Sequence, residues 1–257
     1  MNYTKWISHF TGNRQNRPEP DWESPVNISP EMLGPLICSL EQFRLGDGGG
    51  PASLIAFDAA RFRTSTDEMR AIVDAWFAEE AEHSRLLGCA VKRFGGRHIT
   101  SHWSFTAFCI CRRVLGVRFE LQVLLLTELV STAYYRVLRR HSPDEPLAAM
   151  CSLILRDEAG HVAFHRDRLS AETPLPFGFK GAFWQTQFWL CGCAAATMLW
   201  VNHGPCLKAI GGSRAEYFRE VQREIGGFIG LLYRASDSVA ETSSPRPVFS
   251  PQHLATK

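Results

Sequence analysis

Two segments of the chain repeat the same spacing of a carboxylate and an imidazole. The segment AWFAEEAEHSRLL contains Glu80-x-x-His83, and CSLILRDEAGHVAFH contains Glu158-x-x-His161. In a helix, side chains three positions apart lie on one face, and in both segments that face is otherwise apolar. Ionisable groups on a core face are costly unless they are paired or bound to a metal. The two motifs therefore predict a buried metal site between helices.

A third acid, Glu128, interrupts the apolar run LQVLLLTELVSTAYY. If Glu128 and Glu158 lie on antiparallel helices joined near Pro143, each is fifteen residues from the turn, so the two carboxylates meet at the same height. Glu120, the other acid on that helix, lies eight residues further away, which is about 12 Å off level by helical rise. The spacing therefore selects Glu128 as the third ligand.

The same construction for Glu80 points to a position on the preceding helix. With a turn near Ser65, the residue opposite Glu80 is Gly50, and the nearest acid is Asp47, one turn away. Asp47 lies in the run GDGGGP at 46–51, which is expected to interrupt the helix because each glycine costs about 1 kcal/mol in a helix interior. Two interpretations stay open: a ligand carried inward by a distorted helix, or a solvated turn residue.

Two Glu-x-x-His motifs on different helices and a lone glutamate on a third resemble the ferritin-like di-iron carboxylate superfamily, in its oxygenase and oxidase branch. Proteins of that superfamily hold two metals inside a four-helix bundle. The resemblance covers roughly residues 40–170 and implies a cofactor of two irons (Fe2+/Fe3+), with manganese as an alternative in one position. It also implies a role for each ligand: bridging carboxylates at Glu80 and Glu158, terminal nitrogens at His83 and His161, a terminal carboxylate at Glu128, and an acid where this chain offers Asp47.

Further polar residues lie close in sequence to these ligands. His165 follows His161 by one turn, and it resembles in type, though not in spacing, the extra histidine ligand of some ferritin-like N-oxygenases. A core histidine that bonds a carboxylate is the other interpretation, and a metal-related role is favoured. Tyr134 and Tyr135, one to two turns from Glu128, are candidates for hydrogen-bonding or redox neighbours, although core packing explains both. No catalytic residue beyond the metal ligands is expected.

The remaining histidines of interest are assigned structural roles. His203 follows an apolar helix and is expected to bond backbone carbonyls at the helix end. His98 and His102 lie in a polar loop and are expected to be solvated.

Helical periodicity runs through most of the chain and predicts an all-α fold, a ferritin-like four-helix bundle with extra C-terminal helices. Residues 1–29 are expected to be an extended segment, 30–235 a single helical domain, and 236–257 a disordered tail rich in proline. The predicted helices cover 30–45, 52–63, 67–94, 103–140 (bent near Gly116), 145–170, 180–202 and a last one that opens at Ser213 and ends near Ala235.

Composition narrows the partners and the compartment. The 257 residues include 28 basic and 26 acidic side chains, so bulk charge does not indicate a nucleic-acid partner. The eight cysteines form no C-x-x-C pair and are interpreted as small buried hydrophobes in a reducing cytoplasm, which agrees with an N-terminus that lacks a signal-peptide core. The uncharged segment 181–201 could span a bilayer by length, but a core helix is favoured over a membrane contact.

Carboxylate and imidazole ligands suit iron or manganese better than structural zinc. The resemblance therefore implies a monooxygenase or oxidase that uses O2, an electron donor and a small apolar or aromatic substrate, as in bacterial biosynthetic pathways. The N-terminus and the cysteines place it in the cytoplasm as an expectation, and a homodimer is left open. Two alternatives stay open: a ferritin-like protein that handles iron or removes peroxide, and a binding protein whose metal site has decayed.

Overall fold

A computed structural model describes residues 1–48, 66–113, 116–172 and 178–243, and all regular structure within these ranges is helical. The expected all-α class is therefore confirmed. The helices are α1 (Tyr3–Gln15), α2 (Pro30–Gly48), α3 (Asp67–Arg93), α4 (Trp103–Arg113), α5 (Val117–His141), α6 (Glu145–Glu172), α7 (Gly178–Ala209) and α8 (Arg214–Ser243).

Four long helices form the part of the bundle that carries the candidate ligands. Helix α2 packs along α3, α5 packs along α6, and α3 also contacts α6. Helix α8 packs on α5 and α6, while α7 packs on α2, α5 and α8. One large apolar cluster runs through this bundle and includes Leu40 from α2, Leu87 from α3, Leu129 from α5, Ile154 from α6 and Ile225 from α8.

At two places before Glu158-x-x-His161 in the chain, the helices end or begin at other residues than the sequence predicted. Helix α2 continues through Gly46 to Gly48, so Asp47 belongs to its last turn rather than to a break. The predicted helix over 52–63 lies outside the described residues. The single helix predicted over 103–140 is wrong: α4 and α5 are separate, and Gly116 caps α5 with φ 79°, a conformation that glycine adopts without strain.

Two C-terminal borders also differ. Helix α7 runs through Gly204 and Pro205, where an end was expected, because buried side chains such as Cys206 and Leu207 hold the following turn against the bundle. Helix α8 continues to Ser243, so the predicted disordered tail is helical over 236–243; its remainder lies outside the described residues.

The extended segment predicted over 1–29 is wrong for residues 3–15, which form α1. The side-chain oxygen of Asn2 accepts a hydrogen bond from the Lys5 N–H at 3.0 Å and caps this helix. Trp6 and Phe10, four residues apart, place two buried rings on the face of α1 that meets the bundle. They join a second apolar cluster that includes Ile72, Trp76 and Phe164.

Helix α7 is a core helix on one side only. Phe188 and Ala196 are buried, whereas Phe183, Leu190 and Val201 are exposed. None of the described helices combines the length and the hydropathy that crossing a membrane requires.

The N-terminal helix should contribute measurably to stability. Phe10 is 2% exposed and Phe179, on α7, is 86% exposed. Phe10→Ala removes a buried ring and should lower the free energy of unfolding by about 3 kcal/mol, whereas Phe179→Ala should change it by less than about 0.5 kcal/mol. Chemical denaturation followed by circular dichroism measures both variants. Equal stabilities for the two variants would show that α1 does not dock as described.

Candidate metal centre

The described helices bring the predicted ligands to one level of the bundle. Ligand atoms of Glu80, Glu128 and His161 lie within 4.8 Å of one another, and so do those of Asp47, Glu80 and His83. Because Glu80 belongs to both groups, the two groups adjoin. Four helices supply the set: α2, α3, α5 and α6.

Glu80 and Glu158 each lie against both imidazoles. The carboxylate of Glu80 is 3.7 Å from Nδ1 of His83 through Oε2 and 3.1 Å from Nδ1 of His161 through Oε1. The carboxylate of Glu158 is 3.8 Å from Nδ1 of His83 and 3.7 Å from Nδ1 of His161. Both Nδ1 atoms therefore face the space between the two motif carboxylates.

The outward nitrogen of each imidazole is held by an acid that sequence analysis missed. Nε2 of His83 lies 3.1 Å from Oδ2 of Asp157, and Nε2 of His161 lies 3.0 Å from Oε2 of Glu79. Each of these acids directly precedes a motif glutamate, so each motif orients the histidine of the other helix. An Nε2–H that donates to a carboxylate leaves the Nδ1 lone pair for a metal. The signal was present in the sequence as the acidic doublets at 79–80 and 157–158.

Asp157 also anchors the centre to the rest of the fold. This carboxylate is fully buried, and it forms ion pairs with Arg17, just after α1, and with Arg156, its neighbour on α6. Burial alone would raise the pKa of Asp157, but the hydrogen bond and charge of His83, followed by the charges of Arg17 and Arg156, hold it below its usual value. The carboxylate is therefore ionised and able to accept from His83.

The donor atoms at the centre fit a metal ion. Nδ1 of His83, Nδ1 of His161, Oε2 of Glu128 and Oε2 of Glu158 are buried, and they make no hydrogen bond within the described part of the chain. Each such atom costs about 1–3 kcal/mol when it is left unsatisfied. These nitrogen and oxygen atoms converge on one space, so a cation there would satisfy several of them together. The buried glutamate and histidine groups can thus hold a metal ion.

Burial and neighbouring charges shift the pKa values of the glutamates and of His83 away from their usual values. Burial raises the pKa of Glu128 to about 8 and that of Glu158 to about 7. Burial opposes protonation of His83, but contacts with Asp157 and Glu80 outweigh it and raise its pKa to about 10. Contacts with His161 and His83 outweigh burial at Glu80 and hold its pKa far below the usual value.

Of the two interpretations left open for Asp47, the structure places this residue at the centre. Its carboxylate is half-buried and lies within ligand distance of Glu80 and His83. Burial and the repulsion of Glu80 raise its pKa well above the usual value, as expected for an acid that faces other acids. The glycine run does not turn it outward because α2 remains helical to Gly48.

His165 and Tyr135 border the centre. Nε2 of His165 lies 3.5 Å from Oε2 of Glu128, but His165 belongs to neither group of mutually close ligand atoms. The Tyr135 hydroxyl is buried without a hydrogen bond to any described residue. Burial first, and then the charges of Asp47 and Glu158, raise the pKa of Tyr135 well above its usual value.

Two other residues considered from the sequence, Glu120 and Tyr134, lie away from the candidate ligands. Glu120 forms a buried ion pair with Arg112 at 2.7 Å, away from the ligand set. Tyr134 bonds Ser39 at 2.6 Å rather than any of the ligands.

The expected helix-end position of His203 is wrong, because this residue lies inside α7 with Nδ1 2.8 Å from Oγ of Ser39. His98 is exposed, as expected, whereas His102 is half-buried and lies 2.7 Å from Oγ of Ser104. The buried state predicted for the cysteines holds for Cys151 and Cys206. It is wrong for three exposed ones: Cys38, Cys111 and Cys193.

A cavity of about 460 Å³ opens directly from the centre. Four acids form one end of its lining: Asp47, Glu80, Glu128 and Glu158. Rings and aliphatic side chains form most of the remaining walls, among them Phe43, Phe77, Phe105, Phe108, Met198 and Leu199. A molecule in this cavity would lie against the candidate ligands.

Asp157 offers a test of how the histidines are oriented. Asp157→Asn removes the charge that holds Nε2 of His83, so metal affinity should fall by about 10–100-fold. Asp167→Asn changes an acid on the same helix that pairs with Lys5 at the surface, and its affinity should match the unchanged protein. Competition with a chelator of known affinity for Mn2+ measures both. An unchanged affinity in Asp157→Asn would contradict the role of this carboxylate.

Metal binding should release protons. At pH 7 the metal-free centre holds protons on His83, on Glu128 and in part on Glu158, whose pKa values are about 10, about 8 and about 7. Ligation requires their deprotonated forms and those of Asp47 and His161, whose pKa values are raised as well. Anaerobic loading should therefore release at least about two protons per chain, and apparent affinity should rise as pH rises. A pH indicator in weak buffer, titrated with Mn2+, measures the release. Loading without proton release would contradict these protonation states.

Comparison of the chain with protein-family models, curated proteins and solved structures gave no match. What the centre does must therefore follow from its own side chains and from the cavity beside them.

Proposed function

We propose that the protein is a ferritin-like, non-haem di-iron monooxygenase or oxidase that acts with O2 on a small, largely apolar organic substrate. The observation that carries the proposal is the pair of crossed Glu-x-x-His motifs. Several of their inward donor atoms make no hydrogen bond to the described residues, and the two glutamates line an apolar cavity.

The proposed ligand assignment follows the two groups of close atoms. Glu80 and Glu158 lie against both imidazoles and would bridge the two irons. Asp47 and His83 would complete one iron, and Glu128 and His161 the other. Carboxylate oxygens and imidazole nitrogens without thiolates suit iron, and manganese is the alternative in one position.

A pair of ferrous ions held by these residues would supply the electrons that reaction with O2 requires. The protein contributes the surroundings. The apolar walls exclude water and hold the substrate against the centre. Glu79 and Asp157 fix the imidazoles, and the Tyr135 hydroxyl can donate a hydrogen bond to a group beside Glu158. Because insertion of one oxygen atom into a substrate leaves the other to become water, an external electron donor is also required.

The alternatives account for less of the structure. An iron-handling or peroxide-removing protein acts on no organic substrate, so these functions do not explain an aromatic-lined cavity beside the candidate ligands. In a decayed site some donors would be missing or turned away, whereas Asp47 lies within ligand distance of Glu80 and His83. The cytoplasmic location remains part of the proposal.

Metal stoichiometry tests the ligand set. After anaerobic Fe2+ loading and desalting, the unchanged protein should retain two irons per chain by elemental analysis. Glu158→Gln should retain one or none, because the amide cannot replace a bridging carboxylate. Glu82→Gln is the matched control, since Glu82 lies on α3 and pairs with Arg85 outside the centre. Full iron content in Glu158→Gln would contradict the assignment.

Oxygen consumption distinguishes the proposed activity from iron handling. An oxygenase should consume O2 beyond a single oxidation of its own iron only when substrate and a reductant are present. Continuing oxidation of added Fe2+, unaffected by any organic compound, would instead support an iron-handling protein.

A further inference from the structure

A buried chain of hydrogen bonds lies behind the part of the cavity wall that His203 forms. Oγ of Ser39, on α2, lies 2.6 Å from the Tyr134 hydroxyl and 2.8 Å from Nδ1 of His203. The Tyr134 hydroxyl also lies 3.3 Å from Sγ of Cys206. These residues join α2, α5 and α7, and none of them is needed to hold the metals.

His203 is the member of this chain that reaches the cavity. It is 8% exposed and lies in the cavity lining, so the side chain is buried but borders open space. The Phe43 ring lies 4.2 Å from its ring, which fixes the imidazole plane. Its Nδ1 is engaged by Ser39, while Nε2 has no hydrogen bond to the described residues. If the Ser39 hydroxyl donates to Nδ1, the Nε2–H is left to donate into the cavity.

The same part of the cavity carries no net charge. Burial lowers the pKa of His203 to about 3, so the imidazole is neutral at pH 7. Gln42 and Asn202 are neutral lining residues. Arg112 is the only lysine or arginine among the described lining residues, and its guanidinium is paired with Glu120. An anionic group at the His203 end of the cavity would therefore lose its hydration without gaining an unpaired cation.

Asp47 of the metal centre and the two α2 residues that contact His203 lie along one face of α2. Ser39, Phe43 and Asp47 follow one another at four-residue intervals, so Phe43 is about 6 Å and Ser39 about 12 Å of helical rise from Asp47. The Phe43 ring contacts that of His203 on one side and that of Tyr135, which borders the centre, at 5.0 Å between ring centroids. A ligand bonded to His203 would thus extend along Phe43 with its other end at the acids.

We propose that the cavity binds an uncharged, largely apolar molecule that carries one hydrogen-bond acceptor, such as a phenol oxygen or a carbonyl, and that His203 is the residue that selects this group. The polar end lies at His203 and the apolar end faces the metal centre. Turnover of such a molecule rests on the proposed function, whereas its binding does not.

Three probes of one shape test the ligand class. The full-length protein, as purified and after chelation, is titrated with para-butylphenol, butylbenzene and para-butylbenzoate, and binding is followed by calorimetry and by tryptophan fluorescence, since Trp76 lines the cavity. The phenol should bind roughly fivefold more tightly than butylbenzene, the worth of one hydrogen bond. In the chelated protein, where no metal can bind the carboxylate, the benzoate should bind more than about tenfold more weakly than the phenol. Benzoate binding to the chelated protein as tight as phenol binding would overturn the proposal.

His203→Leu tests the selecting residue. This variant should bind phenol and butylbenzene with equal affinity, and the affinity for butylbenzene should stay unchanged. His98→Leu, at an exposed position, is the matched control and should keep the fivefold preference. If His203→Leu does not fold, Ser39→Ala serves in its place, because loss of the Ser39 hydroxyl frees the imidazole orientation and should weaken the preference. A preference that survives in the folded variant would overturn the role of His203.

Iron content separates the two proposals. His203→Leu should still bind two irons per chain, because His203 is not among the candidate ligands. Phenol selection by a chain that binds no iron would overturn the proposed function and leave this inference standing. A chain that binds two irons but does not prefer the phenol would overturn this inference and leave the proposed function standing.

Discussion

The fold is organised around the cost of burying acids. Asp47, Glu80, Glu128 and Glu158 converge from four helices inside a bundle, where isolated carboxylates are strongly disfavoured. Two imidazoles offset part of that cost, and burial still raises the pKa values of Glu128 and Glu158. A shift of one residue along any of the four helices would rotate its ligand by about 100° and remove it from the set.

The crossed outer carboxylates make this arrangement cooperative. Glu79 on α3 holds His161 of α6, and Asp157 on α6 holds His83 of α3, so neither motif is complete alone. Asp157 extends the linkage to Arg17 and thereby to the N-terminal helix. The geometry of the centre therefore depends on how α1, α3 and α6 pack against one another.

The two sides of the centre differ in character. On one side α1 adds Phe10 to a packed cluster of rings with Trp76 and Phe164, and the Phe10 ring lies 6.0 Å from that of His161. On the other side α4, α5 and α7 leave a cavity instead of a packed core. Within the part of the chain that the structure describes, a small molecule therefore has room on this second side, where both His203 and the acids line the cavity. The helices added to the bundle thus create the feature that separates the proposed oxygenase from a simple iron store.

How much of this was predictable from sequence differs between the fold and the site. The helical class follows from periodicity alone, and the spacing of Glu128 and Glu158 from Pro143 suggested that they meet, because antiparallel helices pair residues equidistant from their turn. Several helix borders were mispredicted for a common reason: glycine and proline lower local helix propensity by amounts that burial outweighs, as at Gly46 in α2 and Pro205 in α7. The helix α1 was missed because the core that its two buried rings join is built from residues of other helices, Ile72, Trp76 and Phe164.

By itself the sequence determined which residue types could ligate a metal and that they share helix faces, since both are set by the 3.6-residue period. Tertiary structure decided the rest. It placed Asp47 beside Glu80, separated Tyr135 at the centre from Tyr134 in the Ser39 chain, and moved His203 from a helix end to a cavity wall. Those outcomes depend on where helices distant in sequence cross, and the period of one helix carries no information about the rotation of another.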